Sequence, residues 1–201
     1  MPAPEPTRDG RALPAIARAA IAARCGSHAP EPAAPQWLHE PGSCFVTLTQ
    51  QGKLRGCIGT VEPRRSLLED VRANAVAVAF AERRFPQLRP DELPITRIAV
   101  SVLSPLTPFE APTEAEAVRL LRPGIDGVLL TRGWQRGVYL PQVWHTLPEP
   151  AQFLSSLKAK AGIDADLWDE QVRLSRFTAT TYAEDEATGP PQPAQPTAPA
   201  P

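Results

Sequence analysis

The chain has 201 residues, a length that fits one domain, or one domain with a smaller lobe, and that can bury a core without staples. Its formal net charge of −1 excludes a global electrostatic pull toward nucleic acid or a membrane surface. Three cysteines with no CxxC spacing exclude a disulfide framework and fit a reducing cytoplasm.

No apolar run approaches a membrane span, and the opening "MPAPEPTRDG" lacks the layout of a secretory signal, so a cytoplasmic protein with no membrane partner is expected. Residues 1–9 read as a disordered lead and 10–183 as the folded domain. Residues 184–201 include "EATGPPQPAQPTAPAP" and read as a disordered Pro-rich tail, because so little apolar surface cannot offset the entropy of ordering. "SHAPEPAAPQ" (27–36) reads as a connector.

"LPAIARAAIAARCG" predicts a helix, with Leu13, Ile16, Ala20 and Ile21 on one side and Gly26 as its stop. "SCFVTLTQQGKLRGCIGTV" predicts two strands around a tight turn at Gln51–Gly52. "SLLEDVRANAVAVAFAERRF" predicts a long helix whose Ser66 and Glu69 have capping-box spacing. "ITRIAVSVLS" reads as a central strand. "TEAEAVRLLRPG" repeats the capping-box spacing at Thr113 and Glu116, and Pro123–Gly124 closes that helix. "DGVLLTRGWQRGVYLPQV" reads as a second hairpin, "EPAQFLSSLKAKAG" as a helix, and "QVRLSRFTATTY" as one last strand. Helices and hairpins interleave without βαβ regularity, which favours an α+β fold.

The stretch "KLRGCIGT" poses the functional question, because Cys57 stands between Gly56 and Gly59 with Arg55 two places before it. A two-residue turn pairs Gln50 with Lys53, Leu48 with Arg55, Val46 with Cys57 and Cys44 with Gly59. Alternation then puts Arg55 and Cys57 on the face of Val46 and Leu48. A guanidinium beside a thiol favours the reactive thiolate, and flanking glycines let a ligand or another backbone approach. Free cysteine is also a common core filler, and paired glycines can mark a bulge or a helix crossing. Both readings stay open at the level of these residues.

Other candidates carry a bland reading beside a functional one. Arg84, in the "RRFP" turn, could clamp an anion or cap a helix end. Asn74 could hold a ligand or satisfy a nearby loop, and Gln142, in "LPQVW", could orient a substrate or anchor its own loop. Cys25 and His28 lack a second ligand pair, so no metal site is expected. Residues 53–97 hold nine Lys or Arg and six Asp or Glu, a basic excess too mild to predict nucleic-acid binding.

"LRGCIGTVEPRRSL" resembles the central motif of the AMMECR domain family, whose bacterial members are called AmmeMemoRadiSam system protein A. "GSCFVTLTQQGKLRGCIG", "NAVAVAFAERRFPQLRPDELPITRIAVSVLSPL", "LRPGIDGVLL", "YLPQVWHTLPEPAQFLSSLKAKAGI" and "LWDEQVRLSRFTATTY" extend the likeness in order over about residues 10–183. The resemblance implies an α+β domain, an antiparallel sheet flanked by helices in a larger and a smaller lobe, with the LRGCIG segment near a cleft. It implies association with a Memo-like protein and a radical S-adenosylmethionine enzyme. It brings no firmly established reaction, no cofactor and no role for His145.

Two functions follow as expectations. In the first, Cys57 is a nucleophile or covalent carrier for a small anionic metabolite or a modified protein group, with Arg55, Arg84, Asn74 and Gln142 holding the substrate. In the second, the chain is a non-catalytic subunit that binds the Memo-like protein or the radical enzyme, and Cys57 only packs. Nucleic-acid binding is a weaker third.

Overall fold

In a computed structural model of the chain, residues 9–184 are described and divide into two units, residues 9–102 with 180–184 and residues 103–179. The expected lead and tail, apart from Asp9 and Glu184, lie outside the described residues. In chain order the elements are α1 (Leu13–Arg24), β1 (Cys44–Gln50), β2 (Lys53–Gly59), α2 (Leu67–Phe80), β3 (Thr96–Leu103), β4 (Thr107–Phe109), α3 (Glu114–Leu120), β5 (Gly127–Arg132), β6 (Gln135–Tyr139), α4 (Pro150–Ala161), β7 (Arg173–Phe177) and β8 (Ala179–Ala183). Short 3-10 turns run at Gln36–His39, Pro90–Ile95 and Pro141–His145. No helix among the described residues is long and apolar enough to cross a membrane.

The first unit carries the sheet β2-β1-β3-β8 and the second carries β4-β7-β5-β6. The α+β expectation therefore holds, with two antiparallel sheets instead of one. The predicted last strand breaks at Thr178, and its halves join different sheets: β7 pairs with β4 and β5, and β8 lies beside β3. Periodicity alone could not show the break, because both halves are β-formers.

Alternation on β1 buries Cys44, Val46 and Leu48, and β3 answers with Val100 and Ile98 opposite the last two. These side chains meet Leu13, Ile16 and Ile21 of α1 and Val71, Ala75 and Val78 of α2, which form one core. In the second unit, Val128, Leu130 and Leu174 pack on Phe153, Leu154 and Leu157 of α4. Phe153 stacks on Trp144 with ring centroids 3.8 Å apart. Arg18 of α1 donates to Glu184 and to the Leu93 and Thr96 carbonyls, which fixes the end of the described chain beside β3.

Both predicted capping boxes are present. The Ser66 hydroxyl accepts from the Glu69 N–H while the Glu69 carboxylate accepts from the Ser66 N–H, and Thr113 with Glu116 repeats this on α3. The α2 box sets where that helix starts, and so where its far end meets the first hairpin. Ser66→Ala is expected to cost about 1 kcal/mol. Urea unfolding should show a lower midpoint at unchanged slope, and an unmoved midpoint would remove the cap from the list of determinants.

Candidate functional site

The turn at Gln51–Gly52 forms as expected, with Gln50 opposite Lys53. Both turn residues have positive φ, +50° and +75°, the conformation that two-residue hairpins favour. Beyond it the register departs from the simple ladder. Thr49 pairs with Leu54, but Leu48 pairs with Gly56, so Arg55 is the extra residue of a β-bulge. Cys57 therefore faces Thr47, not Val46, and Phe45, not Cys44, faces Gly59. One inserted residue moves Cys57 off the core face of Val46 and Leu48 and onto the opposite face of the sheet.

The two glycines are explained by intramolecular packing. A Cβ on Gly56 would lie 2.8 Å from Val78 Cγ2 and 3.2 Å from the Val78 carbonyl oxygen, so α2 crosses there. A Cβ on Gly59 would lie 2.3 Å from the Phe45 ring and 2.5 Å from the Cys44 carbonyl oxygen. The backbone that approaches is the chain's own, and neither glycine is a gap left for a ligand.

Cys57 itself is half-buried. The Thr47 hydroxyl donates to its Sγ at 3.4 Å. β2 is an outer strand, whose free N–H groups need partners. The Cys57 N–H donates to the Glu82 carboxylate, from the turn that follows α2. Arg84 grips the same carboxylate through Nε at 3.2 Å and Nη2 at 2.8 Å. That grip is the main cause of a lowered Glu82 pKa, with desolvation opposing and the Arg84 and Cys57 N–H groups adding to it. Arg84 is pushed up in turn, first by Glu82 and also by the negative charge of a Cys57 thiolate. Arg84 is thus a guanidinium that interacts electrostatically with the thiol.

Arg55 does not take that place. Its side chain is buried, with Nη2 3.6 Å from Glu92 and 3.4 Å from the Gln87 carbonyl oxygen. Its guanidinium carbon stands 6.0 Å from the Phe85 ring centroid, and that of Arg84 stands 5.7 Å from it. Arg55 Nη1 is buried without an acceptor among the described residues.

Asn74 lies beneath this site, in a buried network around Asp70. Its amide donates to the Cys44 carbonyl at 3.1 Å and to Asp70 at 2.9 Å, so it fastens structure. Asp70 also accepts from the Cys44 N–H at 3.0 Å, the Thr60 hydroxyl at 2.5 Å and Arg65 Nε at 2.9 Å, with the Cys44 thiol 3.4 Å away. Burial pushes the Cys44 thiol far above its usual range, and the Asp70 charge adds to that. Cys25 is also raised, by desolvation, with Arg24 opposing. Gln142 and His145 are exposed in the 3-10 turn Pro141–His145 of the second unit. His28 and His39 are exposed.

Thr47, Glu82 and Asp70 had no place in the sequence reading. Asp70 was findable: Asp70 and Asn74 are four residues apart on a helix face otherwise made of Leu67, Val71, Ala75 and Val78. Glu82 reaches Cys57 only through the fold, and no local pattern announces it.

The sequence model of the AMMECR1 family matches residues 14–182. A protein of Methanothermobacter thermautotrophicus is 38% identical over 191 residues, covering 91% of this chain and 98% of its own. One from Thermotoga maritima is 37% identical over 156 residues, covering 76% and 84%. The crystal structure of the uncharacterized protein PH0010 from Pyrococcus horikoshii superposes with a TM-score of 0.80 at 33% identity, covering 90% of this chain and 94% of that one.

Removing Asp70 strands the buried Cys44 N–H and Asn74 amide and the part-buried Thr60 and Arg65 donors, so Asp70→Ala is expected to cost about 3–5 kcal/mol. Gly56→Ala forces a methyl against the Val78 side chain and carbonyl oxygen and should cost about 1–3 kcal/mol. Chemical unfolding of both variants checks this. A stable Gly56→Ala protein would mean that α2 does not press on the strand.

Proposed function

The chain belongs to the AMMECR1 family, and from that premise we propose that it acts through the Cys57 thiol on a small anionic metabolite or a modified protein group. It does so as component A of an AmmeMemoRadiSam-type system, with Cys57 as nucleophile or covalent carrier. The reading is carried by one half-buried cysteine whose sulfur receives a hydroxyl donor from Thr47 and interacts electrostatically with the Arg84 cation. Both neighbours favour the thiolate, which is the form that attacks electrophiles. Cys44 and Cys25 also feel cations, Arg65 and Arg24, but burial outweighs them and raises both thiols.

Arg84 spends Nε and Nη2 on Glu82, and its side chain is half exposed, which leaves Nη1 for an incoming anion. The Memo-like protein and the radical S-adenosylmethionine enzyme are the partners proposed, from the resemblance. Nucleic acid is a poor fit, since Arg55, Arg64, Arg65, Arg72, Arg84 and Arg89 each sit in an ion pair with a carboxylate.

Alkylation of the folded protein, with labelled peptides assigned by mass spectrometry, tests the reading. Cys57 should react first of the three cysteines. Arg84→Gln should slow it near neutral pH by about tenfold, the effect of one pKa unit on the thiolate fraction. The two rates should converge at high pH. A Cys57 that reacts only on unfolding, or that ignores Arg84→Gln, would refute the reading. A Cys57→Ala protein that keeps full function in cells would establish the non-catalytic subunit instead.

A further inference from the structure

The second unit contains an open hollow of about 360 Å³, lined by Ser104, Thr107, Arg122, Arg176, Phe177 and Thr178. None of these residues belongs to the Cys57 site. Two strands and a helix end build it. The β4–β7 ladder sets Thr107 opposite Arg176, and the Thr178 N–H donates to Ser104 Oγ at 2.9 Å. Arg122 follows the C-terminal end of α3.

Behind the lining sits Asp126, fully buried. Its carboxylate accepts from Arg122 through the backbone N–H at 3.0 Å, Nε at 2.9 Å and Nη2 at 2.6 Å, and lies 3.7 Å from Arg176 Nη1. Arg176 also donates through Nη1 to the Leu120 carbonyl at 3.3 Å and stands 4.4 Å from the Phe109 ring centroid. One carboxylate thus serves two guanidiniums, and the balance is one positive charge. Among the described residues, Arg176 spends only Nη1 and Arg122 only Nε and Nη2 on protein acceptors. The remaining N–H groups of two cations, both part of the lining, have no protein acceptor there, and the lining contains no carboxylate.

Asp126 fixes both guanidiniums without consuming them, which is how a preorganised anion site is made. The chemistry selects among anions. A carboxylate offers two oxygens in a plane. A phosphoryl group offers three terminal oxygens, which two guanidinium edges and the Thr107 and Thr178 hydroxyls can share. The volume exceeds the needs of a bare ion and falls in the range of small-molecule sites, about 300–1,000 Å³. We propose that this hollow binds the phosphoryl group of a small phosphorylated metabolite, held between Arg122 and Arg176.

The test is a ¹H–¹⁵N NMR titration of the full chain at constant ionic strength, with inorganic phosphate, glycerol phosphate and acetate as probes. Glycerol phosphate should give saturable shifts centred on Ser104, Thr107, Arg122, Arg176 and Thr178, and should bind about tenfold tighter than acetate. Arg122→Gln should weaken it by about tenfold or more, the effect of losing a charged hydrogen bond. Should that variant fail to fold for want of a partner for Asp126, Arg122→Lys keeps the charge, loses the fork, and should still bind more weakly than the parent. Shifts that do not saturate, that fall elsewhere, or that leave acetate equal to glycerol phosphate would overturn the proposal. So would unweakened binding by the folded Arg122 variant. None of these results bears on Cys57, which lies in the other unit.

Discussion

One buried carboxylate holds the first unit in register. Asp70 collects hydrogen bonds from the start of β1, the end of β2, the loop before α2 and α2 itself, through Cys44, Thr60, Arg65 and Asn74. Taking a carboxylate out of water costs several kcal/mol, and charge-assisted hydrogen bonds of about 1.5–3 kcal/mol each roughly offset that. The net stabilisation is therefore modest. What the network secures is position, because a helix that slid along the hairpin would leave those donors unmet. With α2 fixed, Val78 lies over Gly56, and the turn after the helix delivers Glu82 and Arg84 to Cys57.

The cysteine between two glycines thus has a divided explanation. The glycines answer to packing, one to α2 and the other to Phe45. The thiol answers to neither, because the bulge at Arg55 turns it away from the helix and toward Thr47. The two other cysteines show the contrast. Cys44 is sealed in the core, where burial first and the Asp70 charge second raise its pKa, and Cys25 is raised by burial, with Arg24 working against it. In one chain the same side chain serves as a filler and as a candidate reactive group, and position relative to α2 decides which.

The parts legible in the sequence were those with local causes. The hairpin turn followed from Gln51–Gly52, the helix starts from Ser66 and Thr113, and the end of α4 from Gly162, whose φ is +72°. The face of Cys57 was misread because a bulge inserts one residue without any change in composition. Arg55 was placed beside the thiol by counting alternate residues, whereas Arg84, which interacts with it electrostatically, comes from the turn after α2. The split of β7 from β8 at Thr178 was hidden for a related reason, since strand propensity does not say which sheet a strand will join.

The central claim is that fold, not local sequence, makes the Cys57 sulfur the chain's most readily ionised thiol. The most direct measurement is the pH titration of thiolate absorbance in the native protein, taken as the difference between the parent and Cys57→Ser. The difference should rise at a lower pH than that of an ordinary thiol, about 8.5. A difference that rises only well above that, together with Cys25 and Cys44, would show that Thr47 and Arg84 do nothing for the sulfur and that Cys57 is packing.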